Sequence, residues 1–181
     1  MQVELVRRAQ RGDEEAFAAL VPATASRLLG VAYRILRDAN LAEDATQQAL
    51  LIAWRKLPTL RDPNNFEAWT YRLVVNACHA ETGKRRPQVI SLRLVNDDAA
   101  TIDSTTQSVD RLRLERAFAD LSIAHRTMVV MHLHVGLPFE EIAAALDIPV
   151  GTARSRLHYA LRALRAAIGP EIELTSHRGT A

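Results

Sequence analysis

Phe139-Glu140-Glu141-Ile142-Ala143-Ala144-Ala145-Leu146-Asp147-Ile148-Pro149-Val150-Gly151-Thr152-Ala153-Arg154-Ser155-Arg156-Leu157 reads as two helices and the turn between them. Over 139–146, Ile142 and Leu146 point inward, and Ala143 and Ala144 are small enough to let a second helix approach. Asp147-Ile148-Pro149 turns the chain. From Val150 the next helix runs to about Ile168, with Leu157, Leu161, Leu164 and Ile168 at helical spacing on its inner side. Two helices, a turn of three to four residues, small residues at the crossing and a basic second helix predict a helix-turn-helix. Such a unit lays the start of its second helix against base edges in a DNA major groove. Thr152 opens that helix, and Arg154, Ser155, His158, Tyr159 and Arg162 occupy its outer face. Arginine can pair bidentately with guanine, and serine or tyrosine hydroxyls suit phosphates or bases. Arg165 lies too far along to reach the groove.

The punctuation upstream is helical as well. Ser122 is a cap for a helix carrying Met128, Val129, Met131, His132 and Val135, broken by Gly136-Leu137-Pro138. A preceding helix starts near Asp110 and buries Leu112, Phe118 and Leu121. Residues 87–110 hold Asp97, Asp98 and Asp103 among serines and threonines with few large apolar side chains, the composition of a linker. Before it, Phe17, Leu20, Val21, Leu28, Val31, Ala32 and Ile35 recur at three and four, with Pro22 placed to kink or split the stretch. Asp38-Ala39-Asn40 stops one helix and caps the next, which runs from about Leu41 to Leu57 and ends at Pro58. Thr59 to Asn65 is loop, and Asn64 or Asn65 caps a helix with Phe66, Trp69, Leu73 and Ala77 inside, fading at Gly83. No stretch alternates with period two. The fold class is therefore all-α: two small helical domains, 1–86 and 111–168, joined by the flexible linker 87–110 and followed by a short tail, 169–181.

Charge is divided along the chain. The 181 residues carry a formal +2, yet 151–165 holds Arg154, Arg156, Arg162 and Arg165 and no acid, and Lys84-Arg85-Arg86 forms a second basic knot. Two basic patches either side of an acidic stretch suit two contacts with a polyanion, although charge alone favours plain solvated helix faces. On the Leu41–Leu57 helix, Ala45, Ala49, Ile52 and Ala53 form the inner stripe. The opposite face carries Glu43, Asp44, Gln47, Gln48, Leu51 and Arg55; taken alone it reads as a solvated face, and its outward leucine makes a partner helix the other reading. Beyond the Asn-rich loop, Tyr71 lies near Arg61 and Arg72, a grouping able to hold unstacked bases of a single strand. Trp69, at helical spacing with Phe66 and Leu73, belongs to the core.

Other functions are excluded by what such chemistry requires. A hydrophobic fraction of 48% with 24% charged residues is that of a folded chain, so wholesale disorder is excluded. One cysteine, Cys78, excludes an internal disulfide and a four-cysteine zinc module, and it reads as a small buried hydrophobe. His132 and His134, two apart on a helix, diverge by about 200° and cannot readily share an ion. No His-Glu-x-x-His and no phosphate-binding glycine loop occurs, so no metal, no cofactor and no enzymatic activity are expected. No apolar run approaches the ~18 residues of a membrane span, and Met1–Arg8 lacks the pattern of a signal peptide, which together predict a cytoplasmic protein without membrane insertion.

In combination these motifs resemble the extracytoplasmic-function (group 4) sigma factors of bacterial RNA polymerase. Ala42-Glu43-Asp44-Ala45-Thr46-Gln47-Gln48-Ala49-Leu50-Leu51-Ile52-Ala53-Trp54 is similar to the family's region 2.2. Phe66-Glu67-Ala68-Trp69-Thr70-Tyr71-Arg72-Leu73-Val74-Val75-Asn76-Ala77 is similar to region 2.3, running into a basic region 2.4 at Lys84-Arg85-Arg86. Leu137 to Leu157 is similar to region 4.2, and the resemblance spans about residues 1–168 in order. Gln48, Leu50 and Asp147 depart from the usual glutamate, phenylalanine and glycine, and Val74-Val75-Asn76 is less basic than the common pattern.

The resemblance implies a dissociable promoter-specificity subunit that binds core RNA polymerase at its clamp and flap. The clamp would be met by Asp44, Gln47, Gln48 and Leu51. The minus-ten element would be melted and held by Arg61, Asn64, Asn65, Tyr71, Arg72, Asn76, Lys84, Arg85 and Arg86, a flipped base lodging in the 57–65 loop. The minus-thirty-five element would be read by Thr152, Arg154, Ser155, His158, Tyr159 and Arg162. The linker would thread toward the polymerase cleft, and an anti-sigma protein would occlude these surfaces. A free-standing helix-turn-helix regulator is the alternative reading.

Overall fold

A computed structural model of the chain describes residues 1–84 and 105–168. The described residues form helices and short helical turns, with no strand among them. In chain order the helices are α1 (Gln2–Gln10), α2 (Glu14–Leu36), α3 (Ala39–Lys56), α4 (Phe66–Lys84), α5 (Thr105–Asp120), α6 (Ile123–Val129), α7 (Phe139–Leu146) and α8 (Val150–Ile168). Arg85, Arg86, residues 87–104, the tail from 169, and the side chains of Lys84, of residues 105–110 and of Ile168 lie outside the described residues.

Local chemistry sets several boundaries. Asp13 caps α2, its carboxylate accepting from the Ala16 amide at 2.9 Å, and Asp38 caps α3 through the Leu41 amide at 3.0 Å. Ser122 caps α6 as its sequence position predicts, accepting from the His125 amide. Pro22 does not split its stretch: α2 continues through it for 23 residues. The carbonyl that loses its partner to Pro22 belongs to exposed Ala18, so water can satisfy it. The 57–65 segment, expected as loop, winds into two 3-10 turns, Leu57–Thr59 and Pro63–Asn65. Asp62 caps the second of these turns, accepting from the Asn64 amide at 3.0 Å. Helix α5 starts at Thr105, before the expected Asp110, because a polar first turn carries no apolar periodicity to mark it. Leu112 and Leu114 on α5 are exposed, not buried.

The principal core lies between α2, α3 and α4. Leu28, Val31, Ala32 and Ile35 of α2 meet the small stripe Ala42, Ala45 and Ala49 of α3, with Val74, Val75, Ala77 and Cys78 of α4 closing it. Alanines on the middle helix let its neighbours approach closely, so the outer face of α3 is left for other work. A second cluster of Val6, Ala9, Ala16, Leu20, Leu57 and Phe66 fastens α1 to the 57–65 segment. Helix α2 is long and apolar enough to cross a membrane by length and composition, with a mean hydropathy of 1.3 over an 18-residue window, a feature that inspection for unbroken apolar runs misses. Eight of its residues are buried within this bundle.

The core does not stop at the linker. Met128, Val130, Met131, Ile142, Ala143, Ala153 and Leu157 of the C-terminal unit join the same apolar cluster as the α2–α4 residues. Helix α7 packs on α4, and α6 on α2. Across this junction the ring of His79 lies 3.3 Å from the Thr127 hydroxyl. That hydroxyl already donates to the Ile123 carbonyl at 2.8 Å, so its oxygen accepts from the Nε2–H of His79. The sequence placed two units on the chain; the structure docks them.

Candidate nucleic-acid and polymerase interfaces

Helices α7 and α8 cross as the helix-turn-helix reading requires. Ile142, Ala143, Ala145, Ala153 and Leu157 are buried at the crossing, whereas Ala144 is exposed, so the small residues that permit close approach are Ala143 and Ala145. Asp147 makes the turn with φ 52° and ψ 50°, and the Ile148 amide returns to the Ala143 carbonyl at 3.0 Å. Helix α8 then presents Arg154, Ser155, His158, Tyr159 and Arg162 to solvent, with Thr152 half-buried at its first turn. Ser155 Oγ donates to the Thr152 carbonyl at 3.0 Å, leaving its lone pairs outward. His158 and Tyr159 meet edge to face at 5.7 Å.

Arg154 is not a free side chain. Its Nη2 donates to Glu140 Oε1 at 3.3 Å, and its guanidinium carbon lies 5.6 Å from the centre of the Phe139 ring. Phe139 in turn stacks on His132, with 4.2 Å between centroids and 25° between planes. His132 Nδ1 carries a proton to the Leu137 carbonyl at 2.9 Å. The segment bearing His132 is a π-helical turn, Val130–His134, closed by the Val135 amide on the Val130 carbonyl. Neither this turn nor the stack on it follows from periodicity.

In the N-terminal unit the 57–65 segment is held from both sides. Gln10 of α1 donates through Nε2 to the carbonyls of Leu57 and Leu60, at 3.2 and 2.7 Å. Asp62 accepts from the side-chain amides of Asn64 at 2.8 Å and Asn65 at 3.3 Å. Both amide nitrogens are thereby turned inward, and the side-chain carbonyl oxygens are left as acceptors on an exposed surface beside Arg61.

Helix α4 spreads the remaining candidates. Arg72 and Asn76 are one turn apart on the same stripe. Arg72 is half-buried and its Nε finds no partner, whereas Asn76 is exposed. Tyr71 is half-buried with its hydroxyl on Glu67, and burial together with the Glu67 charge raises its pKa. Trp69 packs half-buried against the second cluster, as expected for core.

The outer face of α3 is as drawn from sequence. Asp44, Gln47 and Leu51 are exposed and Gln48 half-buried, opposite buried Ala45, Ala49 and Ala53. Leu51 stands 58% exposed, an apolar side chain framed by polar ones. Cys78 is fully buried, and burial pushes its thiol up to about 12, which suits a core hydrophobe and removes the thiolate that redox chemistry needs. Among the described residues no group of histidine, cysteine or acidic side chains is arranged to hold a metal ion.

Fold and surfaces together define an all-helical DNA-binding protein with a helix-turn-helix at one end and a second polar, partly apolar face at the other. Residues 20–87 match the family model for Sigma-70 region 2, and residues 117–166 that for Sigma-70, region 4. The RNA polymerase sigma-H factor of Pseudomonas aeruginosa is 32% identical over 180 residues, covering 92% of this chain and 93% of the relative. The ECF RNA polymerase sigma-E factor of Haemophilus influenzae is 30% identical, covering 92% and 94%. Among solved structures, the Bartonella quintana sigma factor RpoE, in complex with the anti-sigma factor NepR, superposes with a TM-score of 0.68 at 20% identity, covering 86% of this chain and 98% of that one. CnrH, in complex with the cytosolic domain of CnrY, gives 0.62 at 23%, covering 91% and 95%. The chain belongs to the sigma-70 family of bacterial transcription initiation factors, in its extracytoplasmic-function branch. Its partners are core RNA polymerase and promoter DNA, it is a non-enzymatic initiation factor, and a free-standing regulator is not the favoured reading.

Proposed function

We propose that this sigma factor divides its work between three surfaces of the chain. The outer face of α3, with Asp44, Gln47, Gln48 and Leu51, takes the polymerase clamp, and the C-terminal unit meets the flap. The 57–65 segment, with Tyr71, Arg72 and Asn76 of α4, captures and holds the melted minus-ten strand, together with the basic residues Lys84, Arg85 and Arg86 that follow in sequence. The start of α8 reads the minus-thirty-five element through Thr152, Arg154, Ser155, His158, Tyr159 and Arg162. The observation that carries this reading is Leu51, a large apolar side chain standing in solvent on a helix whose other face is packed with alanine. An exposed leucine among polar residues supports a protein partner rather than a solvated face.

Two weak DNA contacts become one strong one when polymerase holds both units, because the second binding event is then intramolecular. Melting is driven by capture of exposed bases, without chemistry on the DNA. The Bartonella quintana sigma factor solved with the anti-sigma factor NepR supports an anti-sigma partner here as well, and action alongside polymerase supports a cytoplasmic setting. Gel shifts on a cognate promoter with and without core polymerase test the proposal. Specific complexes are expected only with core, abolished by Leu51→Asp. Core-independent specific binding of equal strength contradicts it.

A further inference from the structure

The base-reading arginine of the helix-turn-helix is held before any DNA arrives. Arg154 projects from the start of the second turn of α8, yet both contacts that fix it come from the opposite helix: the Glu140 carboxylate at 3.3 Å and the Phe139 ring at 5.6 Å. Phe139 rests on His132, and His132 is pinned through Nδ1 to the Leu137 carbonyl. A four-residue stack, His132, Phe139, Arg154 and Glu140, thus runs from the π-helical turn to the surface that faces the groove. An unsupported arginine must give up its many rotamers on binding, a cost that a preset geometry avoids. The fork geometry of a guanidinium reads guanine only when its plane is correctly set, which makes orientation part of discrimination.

We propose that Phe139 and Glu140 are positioning residues for Arg154. They touch no base; they set the plane of the guanidinium and so determine how sharply one position of the upstream promoter element is read. This rests on the reading of Arg154 as a minus-thirty-five contact. Glu140 has a second consequence. A carboxylate close to the phosphate backbone repels DNA of any sequence, so the pair favours a tightly placed Arg154 over indiscriminate basic attraction.

The test uses the full-length protein with core polymerase and a promoter set randomised one base at a time across the upstream element, read as relative open-complex formation. Arg154→Ala should flatten preference at one position by about tenfold or more. Phe139→Leu and Glu140→Gln should each flatten preference at that same position by about two- to fivefold. Both should add little when Arg154→Ala is already present, since the arginine they orient is gone. Glu140→Gln should also raise affinity for non-specific DNA at low salt. Glu140→Asp, which keeps the charge, should restore part of the lost preference, a rescue that a purely structural role would not give. If Arg154→Ala changes no base preference, the underlying reading of α8 fails and the proposal with it. If Arg154→Ala flattens one position while Phe139→Leu and Glu140→Gln leave it sharp, or act additively with it, the reading of α8 stands and the positioning role is overturned. Urea denaturation of each variant, expected to give a midpoint close to the parent's for these partly exposed sites, keeps loss of folding from passing as loss of preference.

Discussion

Single side chains in this protein carry conflicting demands, and Asp147 shows how one is resolved. The turn of the helix-turn-helix needs a left-handed residue, and Asp147 supplies it at φ 52°. Aspartate visits that region more readily than most side chains but less readily than glycine. Asp147→Gly should therefore stabilise the fold by roughly 0.5–1 kcal/mol, the relief of steric strain being partly offset by glycine's greater entropy loss. Urea titration reads this directly, and a destabilised Asp147→Gly variant contradicts it. The charge inventory of the sequence finds Arg154, whose neighbours in space it does not supply. Glu140 and Phe139 lie 14 and 15 positions earlier, and only the crossing of α7 and α8 brings them together. Arg126 illustrates the same limit: its guanidinium is buried, donating to the Ala119 carbonyl at 3.4 Å, and burial followed by the nearby Arg37 charge lowers its pKa.

At the scale of elements, α1 acts as a brace. Its apolar face, Val6 and Ala9, packs into the cluster with Leu57 and Phe66, and Gln10 ties down two carbonyls of the segment proposed to hold a flipped base. Gln10→Ala removes the side-chain donor from the part-buried Leu60 carbonyl, while the Leu57 carbonyl keeps the Leu60 amide at 3.1 Å, at a cost of about 1–3 kcal/mol. The variant should show that loss in urea titration and a slower formation of open complexes, with binding to core polymerase unchanged. Unaltered stability and melting contradict the brace. Elements whose signals are local are legible in the sequence: the caps at Asp38 and Ser122, the alanine stripe of α3, the helices and turn of 139–157. Those decided by distant partners or by backbone detail are not. Pro22 looks like a breaker because sequence does not reveal that the carbonyl it orphans is exposed, and the π-helical turn at 130–134 has no signature in apolar spacing. The 57–65 segment reads as loop because Gln10, its chief support, lies some fifty positions away.

Over the whole molecule, the docking of the two units is the feature that sequence leaves blank. Met128, Met131, Ile142, Val74 and Val75 share one buried cluster that spans both units, yet in sequence each looks like ordinary core of its own domain. His79 sits at this junction, bonded to Thr127, with burial first and the Arg156 charge second lowering its pKa below the usual 6.5. The docked state thus holds His79 neutral more strongly than the separated state does. Its stabilisation is fully present above about pH 6.5 and declines as pH falls through the depressed value, since a freed histidine then binds a proton that the docked one resists. Small-angle scattering of the free protein should give a compact particle at pH 7.5 and a larger radius of gyration at pH 5.5, with His79→Gln blunting the change. A radius that is constant across this range, or a change untouched by His79→Gln, contradicts the assignment.

The central claim is that the chain lends promoter specificity to polymerase through α3 at one end and α8 at the other. Run-off transcription with purified core polymerase and a cognate promoter tests it most directly. A transcript of defined start is expected only when this protein is added, lost with Leu51→Asp through failure to bind core, and lost with Arg154→Ala only on promoters that keep the upstream element. Transcription of undiminished yield from both variants would contradict it.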